Sequence, residues 1–228
     1  MAQAQPIVLC SLDHWPPYVT KADISTRIVN RVMNIADIEF VRKPAPWNRA
    51  LEDTRNGHCD ALSEAYLNED RKKWAIFSES YAPVPMTLFS RKQDNISYQK
   101  VSDLHPYQIG MIRGASISTD FHADKALQLT PITDISQGIK MLIGARIDLF
   151  VSGEAAIQET LKQLAPSKQG LITPIYPPLK LNRLHIAFNR GKPDVHQLAQ
   201  RFNTALRSFK ASEEYRDLLT SSGLKQQY

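Results

Sequence analysis

The stretch Pro6-Ile7-Val8-Leu9-Cys10-Ser11-Leu12 is a short apolar run, and the proline-bearing segment Trp15-Pro16-Pro17-Tyr18 follows it. An apolar run of that length, bounded by turn residues, reads as a buried strand. Directly after it, Ile24, Ile28, Val32 and Ala36 recur at helical spacing, while Arg27, Asn30, Arg31 and Asn34 take the other face. Asp23 stands where the N-cap of that helix belongs. The pair then repeats, with a strand expected at 38–43 and a helix opening at Pro46. Strand and helix in strict alternation place the chain in the α/β class.

Outward from this start the alternation continues. Strands are expected near 60–63, 83–90, 107–112 and 147–151, and helices at 116–126, at 135–143 ending on Gly144, and at 154–164. An amphipathic helix then begins at Pro193, with Val195, Leu198, Ala199, Phe202, Leu206 and Phe209 on one stripe, and a shorter helix follows at 212–220. Two extended segments, 84–92 and 183–189, have no helix between them and their neighbours. In an α/β protein of two lobes, these are the places where the chain crosses. Ligands of such folds sit at loops beyond the carboxyl ends of strands.

Composition narrows the function. The 228 residues are 43% hydrophobic and 22% charged, as in an ordinary globular protein. No apolar run reaches the roughly 18–20 residues that a membrane-spanning helix needs. The net charge is +5, but the 28 Lys and Arg are dispersed, and the longest basic cluster is Arg71-Lys72-Lys73. With no aromatic-interleaved basic strip, nucleic acid is not an expected partner, and the mild positive charge suits anionic ligands. The six histidines fall at unrelated spacings without carboxylate or cysteine partners, so neither a metal nor a cofactor is expected. Cys10 and Cys59 are open to two readings, one disulfide or two buried thiols on neighbouring strands. Ala2-Gln3-Ala4 has the small-x-small pattern that precedes leader cleavage, and export is the expectation.

Several motifs in order carry a family resemblance. They are Trp15-Pro16-Pro17-Tyr18, Pro46-Trp47-Asn48-Arg49-Ala50-Leu51, Gly57-His58-Cys59-Asp60-Ala61, Tyr66-Leu67-Asn68-Glu69-Asp70-Arg71 and Phe77-Ser78-Glu79-Ser80-Tyr81. Val101-Ser102-Asp103-Leu104, Ile109 to Ser116 and Gly144 to Asp148 follow. Together they resemble the extracellular solute-binding proteins of family 3, the binding components of polar amino-acid transporters. The resemblance implies a type II periplasmic-binding-protein fold, two α/β lobes with mostly parallel sheets joined by two crossing strands. Lobe 1 would comprise 1–90 and 187–228, and lobe 2 would comprise 91–186. It implies a periplasmic monomer that closes on a small polar or anionic ligand and hands it to the membrane permease of an ABC transporter.

The resemblance also implies site residues. The family arginine that matches Arg71 grips a ligand carboxylate in two-pronged fashion, as a guanidinium does and an ammonium does not. Its bland alternative is an arginine paired with Glu69 or solvated. Gly114 and Ser116, beside Arg113, stand at a strand end opening a helix, where backbone N–H groups and the serine hydroxyl suit a carboxylate; an ordinary N-cap uses the same geometry. Trp15 and Tyr18 suit an aromatic wall, or simple packing, and Glu64 and Tyr66 are expected to face the same cleft. The family's usual ammonium-holding Asp falls at Gly153, flanked by Ser152 and Glu154, and Glu154 replaces it only if the backbone turns it inward. The usual Thr is Ala115. An α-amino acid is therefore not assumed, although amino acids and related organic acids are the expected class. The expectation is a binding protein. A ligand-sensing receptor module and an enzyme resembling cyclohexadienyl dehydratases, with Glu64 or Glu154 as acid, are the alternatives.

Overall fold

β1 (Ile7–Leu12) forms on the apolar run, and α1 (Ile24–Ile35) on the periodic one, burying Ile24, Ile28, Val29, Val32 and Met33 along one face. β2 (Phe40–Ala45), α2 (Trp47–Arg55), β3 (Ala61–Tyr66), the single-turn α3 (Glu69–Lys72) and β4 (Ala75–Phe77) follow. β5 (Ala82–Arg91) leads to β6 (Gln108–Ile112), α4 (Thr119–Ala123), β7 (Gln128–Ile132), α5 (Ile135–Ile143), β8 (Leu149–Gly153), α6 (Glu154–Lys162) and α7 (Pro166–Gln169). The long β9 (Ile172–Asn189), α8 (Val195–Lys210) and α9 (Glu213–Ser221) complete the chain. The computed structural model describes residues 5–19, 23–113, 117–222 and 224.

The chain divides into two units, Met1–Pro83 with Arg183–Tyr228, and Val84–Asn182. It passes from one to the other twice, at the start of β5 and within β9. In the first unit the strand order is β2-β1-β3-β9. β1 pairs in parallel with β2 and β3, and the last part of β9 runs antiparallel to β3 and β4. In the second unit the order is β5-β8-β6-β7, with β6 parallel to β7 and β8, and β5 antiparallel to β8. Each unit thus has three parallel strands whose carboxyl ends point the same way, and those ends are where such sheets place ligands.

Packing explains the local choices. The core of the second unit gathers Phe89, Ile139, Leu142, Phe150 and Ile157. Gly138 lies inside α5 because a Cβ there would approach Phe150 Cζ to 2.3 Å, so the ring occupies the space a side chain would take. Asp134 caps α5 by accepting from Gln137 N at 2.8 Å.

The short elements α3, β4 and α7 were not expected, β9 begins at Ile172 rather than at 183, and two further differences have a physical reason. The helix expected at 116–126 is a single short helix, Thr119–Ala123, capped by Ser118, whose hydroxyl accepts from Phe121 N at 3.2 Å. The expected helix start, like Gly114 and Ser116, lies outside the described residues. β7 was not expected at all. It is an edge strand that pairs with β6 alone, so Gln128, Leu129 and Pro131 are all exposed and the proline is tolerated, and neither hydrophobic alternation nor absence of proline betrays it.

Cys10 of β1 and Cys59, two residues before β3, are bonded to each other, with Cα atoms 5.8 Å apart at a sequence separation of 49. The bond joins β1 to the residues that lead into its parallel partner β3. Closing a loop of that length removes unfolded-state entropy worth about 4 kcal/mol in the chain-entropy treatment. Replacing both residues, Cys10→Ala with Cys59→Ala, is expected to lower unfolding free energy by about 2–4 kcal/mol in urea titrations, with the far-ultraviolet spectrum unchanged.

Candidate functional site

The loops that leave β1 and β3 carry the first group of side chains. Trp15 and Val19 close a tight turn by exchanging backbone bonds, Trp15 N to Val19 O at 2.8 Å and Val19 N to Trp15 O at 2.7 Å. The turn brings Tyr18 into a stack on Trp15, ring centroids 4.6 Å apart, and Tyr66 meets Trp15 edge-on at 6.3 Å. Tyr18 is fully buried and its hydroxyl donates to Pro83 O at 3.3 Å, so it supports the wall from behind. Trp15 and Tyr66 remain half-buried.

Arg71 sits in α3, whose N-cap Asn68 accepts from Arg71 N at 2.8 Å. Its guanidinium lies over the Trp47 ring, 4.9 Å from the centroid, and donates from Nη1 to Tyr66 O at 2.7 Å. The neighbouring acids are taken elsewhere: Glu69 pairs with Lys72 and Asp70 with Lys73, each at 2.7 Å. Among the described residues no carboxylate pairs with Arg71, so the local ion pair considered as its bland reading does not form. Burial pulls the Arg71 pKa below its ordinary value, and the guanidinium stays cationic. The result is a half-buried cation held over an aromatic ring, with N–H donors to spare. Trp47 was not singled out from sequence; its only signal was an aromatic residue opening a helix within the Pro46-Trp47 motif.

Glu64 plays a different part. Its φ of 58° puts a non-glycine residue in the left-handed region, at the point where the register between β3 and β9 shifts. The kink turns both Ser63 and Glu64 into the interior, where Glu64 is 3% exposed. Ser25 Oγ and Ser63 Oγ each donate to the carboxylate at 2.5 Å, Leu12 N donates at 3.3 Å, and Arg42 Nη1 stands 3.9 Å away. Tyr81 Oη bonds Ser25 Oγ at 2.8 Å and accepts from Glu64 N at 3.1 Å. Glu64 therefore ties the end of β1, the start of α1 and the end of β3 together, directly behind the loops that carry Trp15, Tyr66 and Arg71.

In the second unit the matching positions follow β6 and β8. Arg113, exposed, leaves β6 with its N–H bonded to Ile132 O at 3.0 Å. Ser152, buried in β8, stands opposite Thr87 of β5. Glu154 opens α6, and its carboxylate accepts from Tyr176 Oη at 2.5 Å and Thr87 Oγ1 at 3.2 Å. The sulfurs grouped with Asp53 as the one metal-competent cluster among the described residues are spent on each other in the disulfide.

The sequence matches the model of the bacterial extracellular solute-binding proteins, family 3, over residues 7–222. No curated protein matches it. Solved structures share the fold at low identity. The ligand-binding core of GluR0 in complex with L-glutamate superposes with a TM-score of 0.78 at 13% identity, covering 96% of this chain and 99% of that one. A histidine kinase sensor domain with similarity to periplasmic binding proteins gives 0.75 at 16% identity, covering 95% of each chain. The arginine-, lysine-, histidine-binding protein ArtJ of Geobacillus stearothermophilus gives 0.73 at 16% identity, covering 98% of this chain and 97% of that one.

Burial pushes the Glu64 carboxyl above its ordinary value of 4.5, against the opposing pull of the Ser25 and Ser63 hydroxyls and Arg42. The folded chain then holds a proton that the unfolded chain releases, so stability is full below the unfolded value and falls as pH rises through the raised folded one. Glu64→Gln keeps an acceptor for Leu12 N and Ser63 and removes the titration. Urea unfolding at stepped pH is expected to show the parent losing stability relative to this variant as pH rises from about 4.5.

Proposed function

The chain belongs to the bacterial extracellular solute-binding proteins of family 3, and from that premise we propose that it captures a small carboxylate-bearing polar ligand, an amino acid or related organic acid, and delivers it to an ABC transporter. Family membership makes it a ligand-binding protein rather than an enzyme. Among the described residues no helix is long and apolar enough to cross a membrane. The periplasm as its location, a monomeric state and a membrane permease as partner belong to the proposal. So does capture by hinge closure of the two units.

Arg71 carries the reading. A guanidinium stacked on Trp47, anchored by one bond to Tyr66 O and paired with none of the described carboxylates, is a cation kept for an anion from outside. Trp15 and Tyr66 supply apolar surface beside it, and the network behind Glu64 keeps the loops in place. Gly114 and Ser116, outside the described residues, are proposed as further donors, as are Arg113 and Ser152.

A sensing role uses the same capture, and the fold is shared with a kinase sensor domain. The two readings part at the partner. Co-purification of a permease with the ligand-loaded chain favours delivery, and a kinase partner favours sensing.

A thermal-shift screen of the ligand-stripped protein against amino acids and organic acids is expected to give a selective rise in melting temperature. In Arg71→Ala the affinity for that ligand is expected to drop by at least about thirtyfold, with Arg71→Lys recovering little of it. Undiminished binding by a folded Arg71→Ala protein removes Arg71 from the site.

A further inference from the structure

We propose that Cys10, Cys59, Asp53 and His58 form a zinc site in the reduced chain, so that a metal ion takes over the tie between β1 and the residues leading into β3 that the disulfide makes in the oxidised one. The inference uses none of the residues assigned to ligand capture and stands or falls apart from it.

The donors are already gathered. The two sulfurs and a carboxylate oxygen of Asp53 all lie within 4.8 Å of one another, and all three residues are buried. His58 adds a fourth, its Nδ1 3.7 Å from Asp53 Oδ1. Two thiolates, a carboxylate and an imidazole suit zinc, and the sulfurs are too soft for calcium or magnesium. A tetrahedral zinc at its ordinary bond lengths spaces neighbouring ligand atoms about 3.3–3.8 Å apart, so movements on the order of 1 Å close this group onto a metal.

Backbone bonds that do not involve the sulfurs hold the same residues together. Asp53 O, in the last part of α2, accepts from His58 N at 2.8 Å and from Cys59 N at 3.1 Å. Gly57, at a φ of 81°, makes the turn that brings them back. Asp60, the next residue, accepts from Val8 N of β1 at 2.6 Å. The three ligands on this side of the site therefore keep their places beside β1 by contacts other than the disulfide.

A structural disulfide needs no acid beside it. Lys43 Nζ at 2.8 Å and Arg49 Nε at 3.2 Å answer the charge of Asp53, and neither accounts for its place against the sulfurs. Two full cations on one carboxylate leave positive charge over, and such surroundings favour thiolate over thiol once the bond is open. Both cations are exposed, so they release the carboxylate into water at little cost. The His58 side chain is 69% exposed and gives the metal a way in from solvent.

The change is a two-electron exchange. A dithiol reductant supplies two electrons and two protons, its own sulfurs joining as the Cys10–Cys59 bond breaks and two thiols form. Zn²⁺ then displaces both thiol protons to water and binds the two sulfurs, the Asp53 carboxylate and neutral His58.

The test uses the whole chain, reduced with a phosphine, which unlike a dithiol does not compete for zinc, and kept free of oxygen. Titration with Co²⁺ is expected to give a thiolate-to-cobalt charge-transfer band and the strong visible bands of a tetrahedral centre, saturating at one ion per chain and abolished by Zn²⁺; the oxidised chain is expected to show neither. Zinc is expected to raise the melting temperature of the reduced chain and leave that of the oxidised chain unmoved. Where the reduced chain proves unfolded, recovery of its far-ultraviolet spectrum on adding zinc replaces that shift. In His58→Ala, at an exposed position, and in Asp53→Asn, zinc affinity is expected to fall at least about tenfold. No charge-transfer band, no stabilisation or recovery by zinc, or an affinity unchanged in either variant overturns the site.

Discussion

A half-buried guanidinium, with no carboxylate paired to it among the described residues, is the constraint around which the first unit is arranged. Taking a cation out of water is costly unless donors and charge are met. Arg71 is met only in part, by the face of Trp47 and by Tyr66 O. The adjacent Glu69 and Asp70, which would complete it, are drawn to Lys72 and Lys73 one helical turn away. That diversion is a local electrostatic choice, and among the described residues it leaves the Arg71 guanidinium without a carboxylate partner.

Holding such a group still requires support that does not itself compete for the ligand. Glu64 supplies it from within. A left-handed backbone costs on the order of 1 kcal/mol or more for a residue with a Cβ, and it persists where surrounding contacts over-determine it. Here the contacts are three donors to the carboxylate and the Tyr81 hydroxyl on its own N–H. They join β1, α1 and β3 at the end of the sheet from which Trp15 and Arg71 emerge. The disulfide between Cys10 and Cys59 ties β1 to the residues that lead into β3. Paired strands and a bonded joint behind them support the loops that carry Trp15 and Arg71.

Alternation of strand and helix was legible because the buried elements obey their periods: α1 shows a stripe at 3.6, and β1 and β8 are nearly continuous apolar runs. β7 was not, since an edge strand with one partner and an internal proline carries neither signal. The direction of Glu64 was hidden for a related reason. Strand alternation sends neighbouring residues to opposite faces, and only the register shift and positive φ turn Ser63 and Glu64 inward together. Trp47 under Arg71, and Tyr176 and Thr87 around Glu154, join residues distant in sequence, and such pairings exist only once the fold is made. The Cys10 and Cys59 choice was undecidable from spacing and follows from parallel pairing of β1 with β3.

The most direct measurement is nitrogen NMR of the arginine side chains, with the Arg71 Nε–H resonance assigned from Arg71→Lys, during titration with amino acids and simple carboxylic acids. The account predicts that a binding carboxylate shifts the Arg71 Nε–H signal at saturation and protects it from exchange with water. A ligand that saturates the protein while leaving that resonance unmoved would contradict it.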